Sequence, residues 1–201
     1  MERFVYSSVD RGGPERSEVD ATYVPHFKSK FNVEKYLQER VGAIPLAEGD
    51  DTGERMSWTV LRTVAFMENL TDDFVGRVFG TIWKGLGKQR MQLIGTKDVG
   101  WFAVDALIGN PGEYRDRAIS IAGDELDFEE ANEIYKQVLG KDMPTTFGAV
   151  VKPLRWTMSD LDLMFKWLQE NQCGADVQEC RRRNGNLQDF AAWLKENKVR
   201  N

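Results

Sequence analysis

The sequence predicts an α/β fold in which parallel strands are joined through helices. Three observations carry that expectation. A short apolar strand, Phe4-Val5-Tyr6-Ser7-Ser8, opens the chain, and a helical stretch from Pro25 to Val41 follows it. A second run rich in β-branched and aromatic residues, Ser57 to Ala65, reads as a central strand. A right-handed crossover through the helix then makes the two strands parallel neighbours.

Taken in order, residues 9–23 are polar and broken by Gly12-Gly13-Pro14, which reads as a loop. Pro25 suits the first turn of a helix, where its missing N–H costs nothing. Phe27, Lys30, Val33 (with Glu34) and Leu37 then recur at three- and four-residue spacing, and Gly42 is the expected C-cap. The stretch 43–57 contains an acidic excursion, Glu48 to Glu54, expected as a solvated loop. Thr71-Asp72-Asp73 caps a helix whose inward face is expected to carry Phe74, Val75, Val78, Phe79, Ile82 and Leu86. Gly76 and Gly80 weaken it by about 1 kcal/mol each against alanine but permit close packing.

Met91 to Ile94 reads as a short strand, and a helix from Asp98 to Ile108 stops at Asn110-Pro111-Gly112. After a strand from Arg117 to Ala122, Asp127-Phe-Glu-Glu130 forms a capping box ahead of an apolar stripe that ends at Gly140. Phe147 to Lys152 is expected as a further strand. Ser159 to Asp162 opens a helix with Leu161, Met164, Phe165 and Leu168 inward, and Asn186 is expected to cap a final short helix.

Composition narrows the function classes. A chain of 201 residues, 41% apolar and 29% charged, is expected to make one globular domain with a real core. A net charge of −5 argues against nucleic-acid or membrane-surface binding. No apolar run approaches the roughly 18 residues of a membrane span, and the first residues lack a secretory core, so a cytoplasmic or nuclear location is expected. Cys173 and Cys180 have no histidine or cysteine at zinc spacing, so no metal site is expected. Arg181-Arg182-Arg183 reads as a solvated face or a helix-end neutraliser.

The chemistry-bearing constellation is His26 and Lys30. Four residues apart on a helix, they share one face with about 6 Å between their Cβ atoms. They follow a strand that ends in two hydroxyls, Ser7 and Ser8. This order resembles the short-chain dehydrogenase/reductase superfamily, whose active-site pair is Tyr-x-x-x-Lys; here it reads His26-x-x-x-Lys30. The blocks His26-Phe27-x-Ser29-Lys30 with Val33-Glu34, Trp58-Thr-Val-Leu-Arg62, Phe66-Met-Glu-Asn-Leu70 and Ala122-Gly-Asp-Glu-Leu126 resemble its NmrA-like branch. That branch is named for the fungal nitrogen-metabolite repressor.

The resemblance implies a Rossmann-type parallel sheet with a smaller α+β lobe over its cleft. Residues 1–95 would belong to the sheet part and 96–201 mainly to the cleft-covering helical lobe. The glycine-rich strand–turn–helix by which family members hold a pyrophosphate is not found in the sequence. An incomplete sheet, from the family's fifth strand onward, is therefore expected, with strand 4–8 unpaired along its outer edge and prone to dimerise or aggregate.

In the reductases that the chain resembles, the lysine at Lys30 hydrogen-bonds the nicotinamide ribose and lowers the pKa of its acid–base neighbour. The plainer alternative is a solvent-facing helix lysine. His26 titrates near neutrality and suits acid–base work. In regulators of this branch, however, loss of the tyrosine goes with cofactor binding without turnover, so a positioning or structural role stands beside catalysis. Either Ser7 or Ser8 would face the cleft, since alternate strand side chains point to opposite sides. Ala65, Phe66, Met67 and Glu68 follow the sixth-strand equivalent, where the family's backbone meets the nicotinamide end. Thr63 stands where most relatives have proline.

Three functions remain open. The first is a redox-sensing regulator that binds NADP(H) or NAD(H), tightly only with a glycine-rich half, and presents the result to a protein partner. The second is an NAD(P)H-dependent reductase of small carbonyls or quinones that uses Lys30 and His26. The third is an interaction module that binds no dinucleotide and awaits a partner or a second copy.

Overall fold

Strand β1 (Arg3–Val9) lies parallel to β2 (Ser57–Thr63), with Arg3 opposite Ser57 and Val9 opposite Thr63. Helix α2 (Pro25–Val41) is the crossover between them. Strand β5 (Arg117–Ile121) adds to the far side of β2, also parallel, giving the order β1-β2-β5. The fold is thus α/β, seen in a computed structural model that describes residues 3–41, 56–146 and 159–197. The expected cap at Gly42, the acidic excursion 48–54 and the strand 147–152 lie outside the described residues.

Alternation along the strands divides the two faces. Tyr6, Val60 and Ala118 pack with Leu37 and Val41 of α2. Val5, Leu61 and Ile119 pack on the opposite face with Phe102 of α4 (Thr96–Ile108). Both faces of the parallel sheet are therefore covered, as such sheets require.

Beyond Val64 the chain leaves this sheet and enters a second one. There β3 (Ala65–Phe66) runs parallel to β4 (Met91–Ile94), and β6 (Asp124–Leu126) runs antiparallel to β4. Its core brings together α3 (Phe74–Gly85), α6 (Phe128–Leu139), α7 (Ser159–Glu170) and α9 (Phe190–Asn197) around Trp83, Leu93, Phe165 and Phe190. No helix among the described residues is long and apolar enough to cross a membrane.

Several local expectations are corrected. Residues 9–23 are not all loop: a short helix, α1 (Pro14–Val19), sits inside them, with proline in its first turn. On α2 the buried position is Glu34 rather than Val33, which is 42% exposed, because two arginines neutralise the carboxylate. Phe74 and Val75 are exposed, since the first turn of α3 projects past the core while Asp73 accepts from the Gly76 N–H. The expected strand 57–65 breaks at Val64, where the chain changes sheets.

The turn α5 (Pro111–Tyr114) follows α4, and α8 (Val177–Arg183) occupies a stretch to which no helix was assigned. Asp176 caps α8, and its arginines form the basic last turn. Asn186 does not cap the final helix. Its N–H donates to Asn184, whereas Asp189 accepts from Ala192 in the first turn of α9.

Gly80 shows why its helix tolerates glycine: a Cβ there would stand 2.5 Å from the Pro144 carbonyl oxygen. The capping box forms as expected, with Asp127 accepting from the Glu130 N–H and Glu130 from the Asp127 N–H, both at 2.9 Å. Asp127→Ala is expected to lower stability by about 1 kcal/mol, read as a shift of the urea midpoint at unchanged slope.

Candidate ligand cleft

The ends of β1 and β2, the switch into β3 and the start of α2 enclose a cavity of about 290 Å³. This is the crevice outside the carboxyl ends of parallel strands, where α/β sheets bind ligands. Helix α7 and the segment after it roof the cavity through Met164, Leu168 and Cys173. Phe79 of α3 and Met91 of β4 line it from the core of the second sheet.

Lys30 reaches the cavity wall and donates from Nζ to the Ser7 carbonyl at 2.8 Å, with its ammonium 5.1 Å from the centre of the Tyr6 ring. His26, one turn earlier, is exposed at the rim with its ring edge-on to Phe27. Desolvation by the surrounding protein, together with the Lys30 ammonium, holds its imidazole below the ordinary value, against an opposing pull from Asp160. A neutral imidazole at pH 7 can accept a proton but has none of the acidity of an imidazolium.

The choice between the two serines is resolved by what lies behind the strand. Ser8 is buried and donates its hydroxyl to Glu34 Oε1, while Ser7 is exposed. Ser7 therefore presents the available hydroxyl. Glu34 is wholly buried and is held by Arg11 through both guanidinium nitrogens at 2.9 Å and by Arg62 at 2.7 and 3.0 Å. Burial alone would raise its pKa, but Arg11, Arg62 and Ser8 outweigh that and hold the carboxyl below its usual value. Arg62 also reaches Glu18 at 2.6 Å, and Lys35 binds the other oxygen of Glu18.

Asp10 makes a second buried knot. Its Oδ1 accepts from the backbone N–H groups of Gly12, Gly13 and Gly174, and its Oδ2 from the Ser120 hydroxyl at 2.5 Å. Gly12 and Gly13 have φ of 106° and 92°, open to glycine and strained for other residues. Backbone N–H groups converging in this way form an anion nest. Here the anion is the protein's own carboxylate, so this turn offers no seat to a phosphate. The knot also ties the roof down: a Cβ on Gly174 would lie 2.7 Å from the Gly13 nitrogen.

The run expected at the nicotinamide end divides. Ala65, Phe66 and Asn69 line the cavity. Met67 is wholly buried in the second core. Glu68 turns to the N-terminus of α4, where its Oε1 accepts from the Thr96 N–H and hydroxyl and from the Trp193 indole. It replaces the cap that Gly95 cannot supply and sets a carboxylate against the positive end of the helix. Cys173 is no nucleophile here, because burial and the carboxylates of Asp10 and Glu125 push its thiol far above the ordinary range.

Sequence reasoning missed Glu34, Arg11, Arg62 and Asp10. The available signals were an arginine in the middle of an apolar strand and an aspartate two residues before Gly-Gly.

The profile of the NmrA-like family matches residues 1–186. No relative among functionally curated proteins matches. Three solved structures share the fold at low identity. A nucleoside-diphosphate-sugar epimerase from Staphylococcus aureus is 13% identical with a TM-score of 0.64, over 97% of this chain and 65% of that one. NmrA, a negative transcriptional regulator in complex with NADP, is 12% identical with a TM-score of 0.62, over 98% and 64%. The triphenylmethane reductase of Citrobacter sp., complexed with NADP(H), is 10% identical with a TM-score of 0.64, over 98% and 65%. The chain thus spans slightly less than two-thirds of the length of each of these proteins.

Proposed function

Because the chain belongs to the NmrA-like family, we propose that it works as a nicotinamide-dinucleotide-binding protein of the regulator type, in the cytoplasm or nucleus. Its share of the site is the nicotinamide-facing wall. The observation that carries this reading is Lys30: α2 brings its ammonium to Ser7, at the carboxyl end of β1 and on the wall of the cavity. Solved relatives of the same fold hold NADP or NADP(H). In this proposal the Lys30 ammonium and the Ser7 hydroxyl hold the ribose–nicotinamide end, and Ala65 and Phe66 offer backbone and ring to it.

Among the described residues, two glycine turns follow a strand and open a helix: Asp10 fills the one before α1, and the Glu68 carboxylate takes the N-terminus of α4 behind Gly95. The phosphates would then need a glycine-rich strand–turn–helix supplied from elsewhere. A few hydrogen bonds of about 1 kcal/mol each do not hold a dinucleotide tightly. Occupancy would act by changing the surface shown to a protein partner.

The alternative is an NAD(P)H-dependent reductase of small carbonyls or quinones. The depressed imidazole of His26 disfavours it, since a carbonyl needs a proton donor at that point.

The test is titration of NADPH and NADP against the chain, with and without a glycine-rich segment added in trans. Binding is expected with the segment, about tenfold weaker in Lys30→Ala, and without NADPH oxidation by quinones or aldehydes. Oxidation abolished by His26→Ala would establish the reductase. Absence of binding in both arms would leave the interaction module.

A further inference from the structure

We propose that the outer edge of β1, with the flanks of α2 and α4 above and below it, is the interface of a two-fold dimer of this chain. In it β1 pairs antiparallel with β1 of a second copy.

The edge sets the register. Among the described residues, nothing pairs with β1 on the side away from β2. The Ser7 and Val9 carbonyls point to that side, where Lys30 and Arg11 take them. By alternation, Arg3 and Val5 turn their backbone groups the same way, short of both cations. An antiparallel partner therefore pairs with residues 3–5 and leaves both cations in place. With the axis at Phe4, Arg3 faces Val5 of the second copy, and Phe4, an exposed ring in the single chain, faces Phe4.

The helices then fit. Both α2 and α4 straddle β1 and β2, so each helix axis lies about half a strand spacing inside β1. The two-fold lies half a spacing outside it. With strands about 4.8 Å apart, each helix meets its copy at about 10 Å, a distance at which helices pack. On α4, Asp98 and Asp105 turn toward Asn184 and Tyr114. The opposite flank, half a helical turn away, carries Gly100, Ala103 and Leu107 and no charge. On α2, Lys35 and Gln38 turn toward Glu18, and the opposite flank brings the exposed Val33 to the seam.

Two helices and a strand present a face roughly 20 Å long and 30 Å deep, on the order of the 800 Å² per partner that a standard interface buries. The face is also self-complementary: the same strand segment, ring and flanks meet themselves across one axis, as an isologous contact requires. A parallel strand along the whole edge would have to take the Ser7 and Val9 carbonyls from Lys30 and Arg11, which a second copy need not do. The pairing lies at the amino end of β1 and the cleft at its carboxyl end, so the proposal is independent of what the cleft binds.

Sedimentation equilibrium of the whole chain is expected to show monomer and dimer exchanging with concentration. Gly100→Lys separates the seam from the fold. A Cβ at Gly100 meets open space and glycine weakens a helix interior, so at dilutions where both are monomeric the variant should melt no lower than wild type. Its dimer is expected to be at least tenfold weaker, because each copy sets a cation on the apolar flank of the other. Gly85→Lys, equally open but at the end of α3, is expected to dimerise as wild type does. For register, Phe4→Cys is expected to give a disulfide-linked dimer with oxidised glutathione, since the facing Cα atoms would be about 4.5 Å apart. Tyr6→Cys is expected to give none, because position 6 and its copy would be about 14 Å apart.

A monomer at every concentration would overturn the proposal, whether the edge then stays bare or takes up the glycine-rich segment of the titration above. So would a dimer unchanged in Gly100→Lys, or one cross-linked through Tyr6→Cys and not through Phe4→Cys.

Discussion

Glu34→Ala is expected to be the most damaging single substitution in the parallel-sheet half, at about 3–5 kcal/mol. The reason is what it leaves behind. Arg11 and Arg62 are 0% and 1% exposed, and both spend guanidinium hydrogen bonds on this one carboxylate. Without it two charges remain in the interior, Ser8 loses its acceptor, and α2 loses its grip on β2. At about 2–4 °C per kcal/mol for a chain of this size, the melting temperature should fall on the order of 10 °C.

The same network predicts an acid limb. Glu34 has a folded pKa below its unfolded value, so its stabilising effect is complete above the ordinary glutamate range and is lost as pH falls through the folded value. Glu18, held at about 2, acts in the same direction. Its contribution is screened, because its side chain is 42% exposed. Urea midpoints measured from pH 7 downward should stay level until about pH 4 and then drop. The drop should be smaller in Glu34→Gln. A flat profile in wild type would refute this account. Replacing Arg11, Glu34 and Arg62 together by apolar residues is a different experiment and need not cost stability, since desolvation is then relieved as well.

The second large effect is expected at Asp10. Asp10→Ala removes the acceptor from three backbone N–H groups and one hydroxyl, all charge-assisted bonds, and should cost on the order of 3 kcal/mol. Its particular signature is local. Gly174 would come free of the turn at Gly12-Gly13, so the segment that roofs the cavity should become sensitive to limited proteolysis near residues 171–176. The emptied nest of N–H groups is also expected to take up formate from solution and to regain part of the lost stability. Asp10→Asn retains one acceptor oxygen and should lose less. Equal protease resistance in wild type and Asp10→Ala would show that the roof is held by its other contacts, Arg16 to Asn171 and Tyr23 to Glu170.

Much of the fold was legible because periodicity records burial. The alternation in β1 and β2, the spacing along α2 and the capping box of α6 are local signals. The site was legible only in part. Lys30 at the cavity wall follows from its place one strand and one helix into the chain. The choice between Ser7 and Ser8 does not, because it depends on Glu34, and Glu34 depends on arginines 23 and 28 positions away in sequence.

The spacing along α2 admits Val33 and Glu34 alike, and only the two arginines decide that the glutamate is the buried one. The run Ala65 to Glu68 reads as one unit in sequence. A 3₁₀ turn at Met67–Asn69 instead sends its side chains to the cavity, to the second core and to the cap of α4. The roof residues Met164 and Leu168 carry an ordinary helical pattern, and nothing local tells that their helix lies over the cleft.

Lys30 has one more consequence. Its ammonium sits on the Ser7 carbonyl, and the Arg11 guanidinium sits on that of Val9, so two backbone acceptors at the end of β1 are already claimed by cations. A foreign strand zipping alongside would have to evict both. Among the described residues, charge rather than a covering element blunts this lip against amyloid-like growth. A lysine studied for its ligand thus doubles as a guard, and Lys30→Arg, which keeps the cation, separates a lost ligand contact from the onset of clumping.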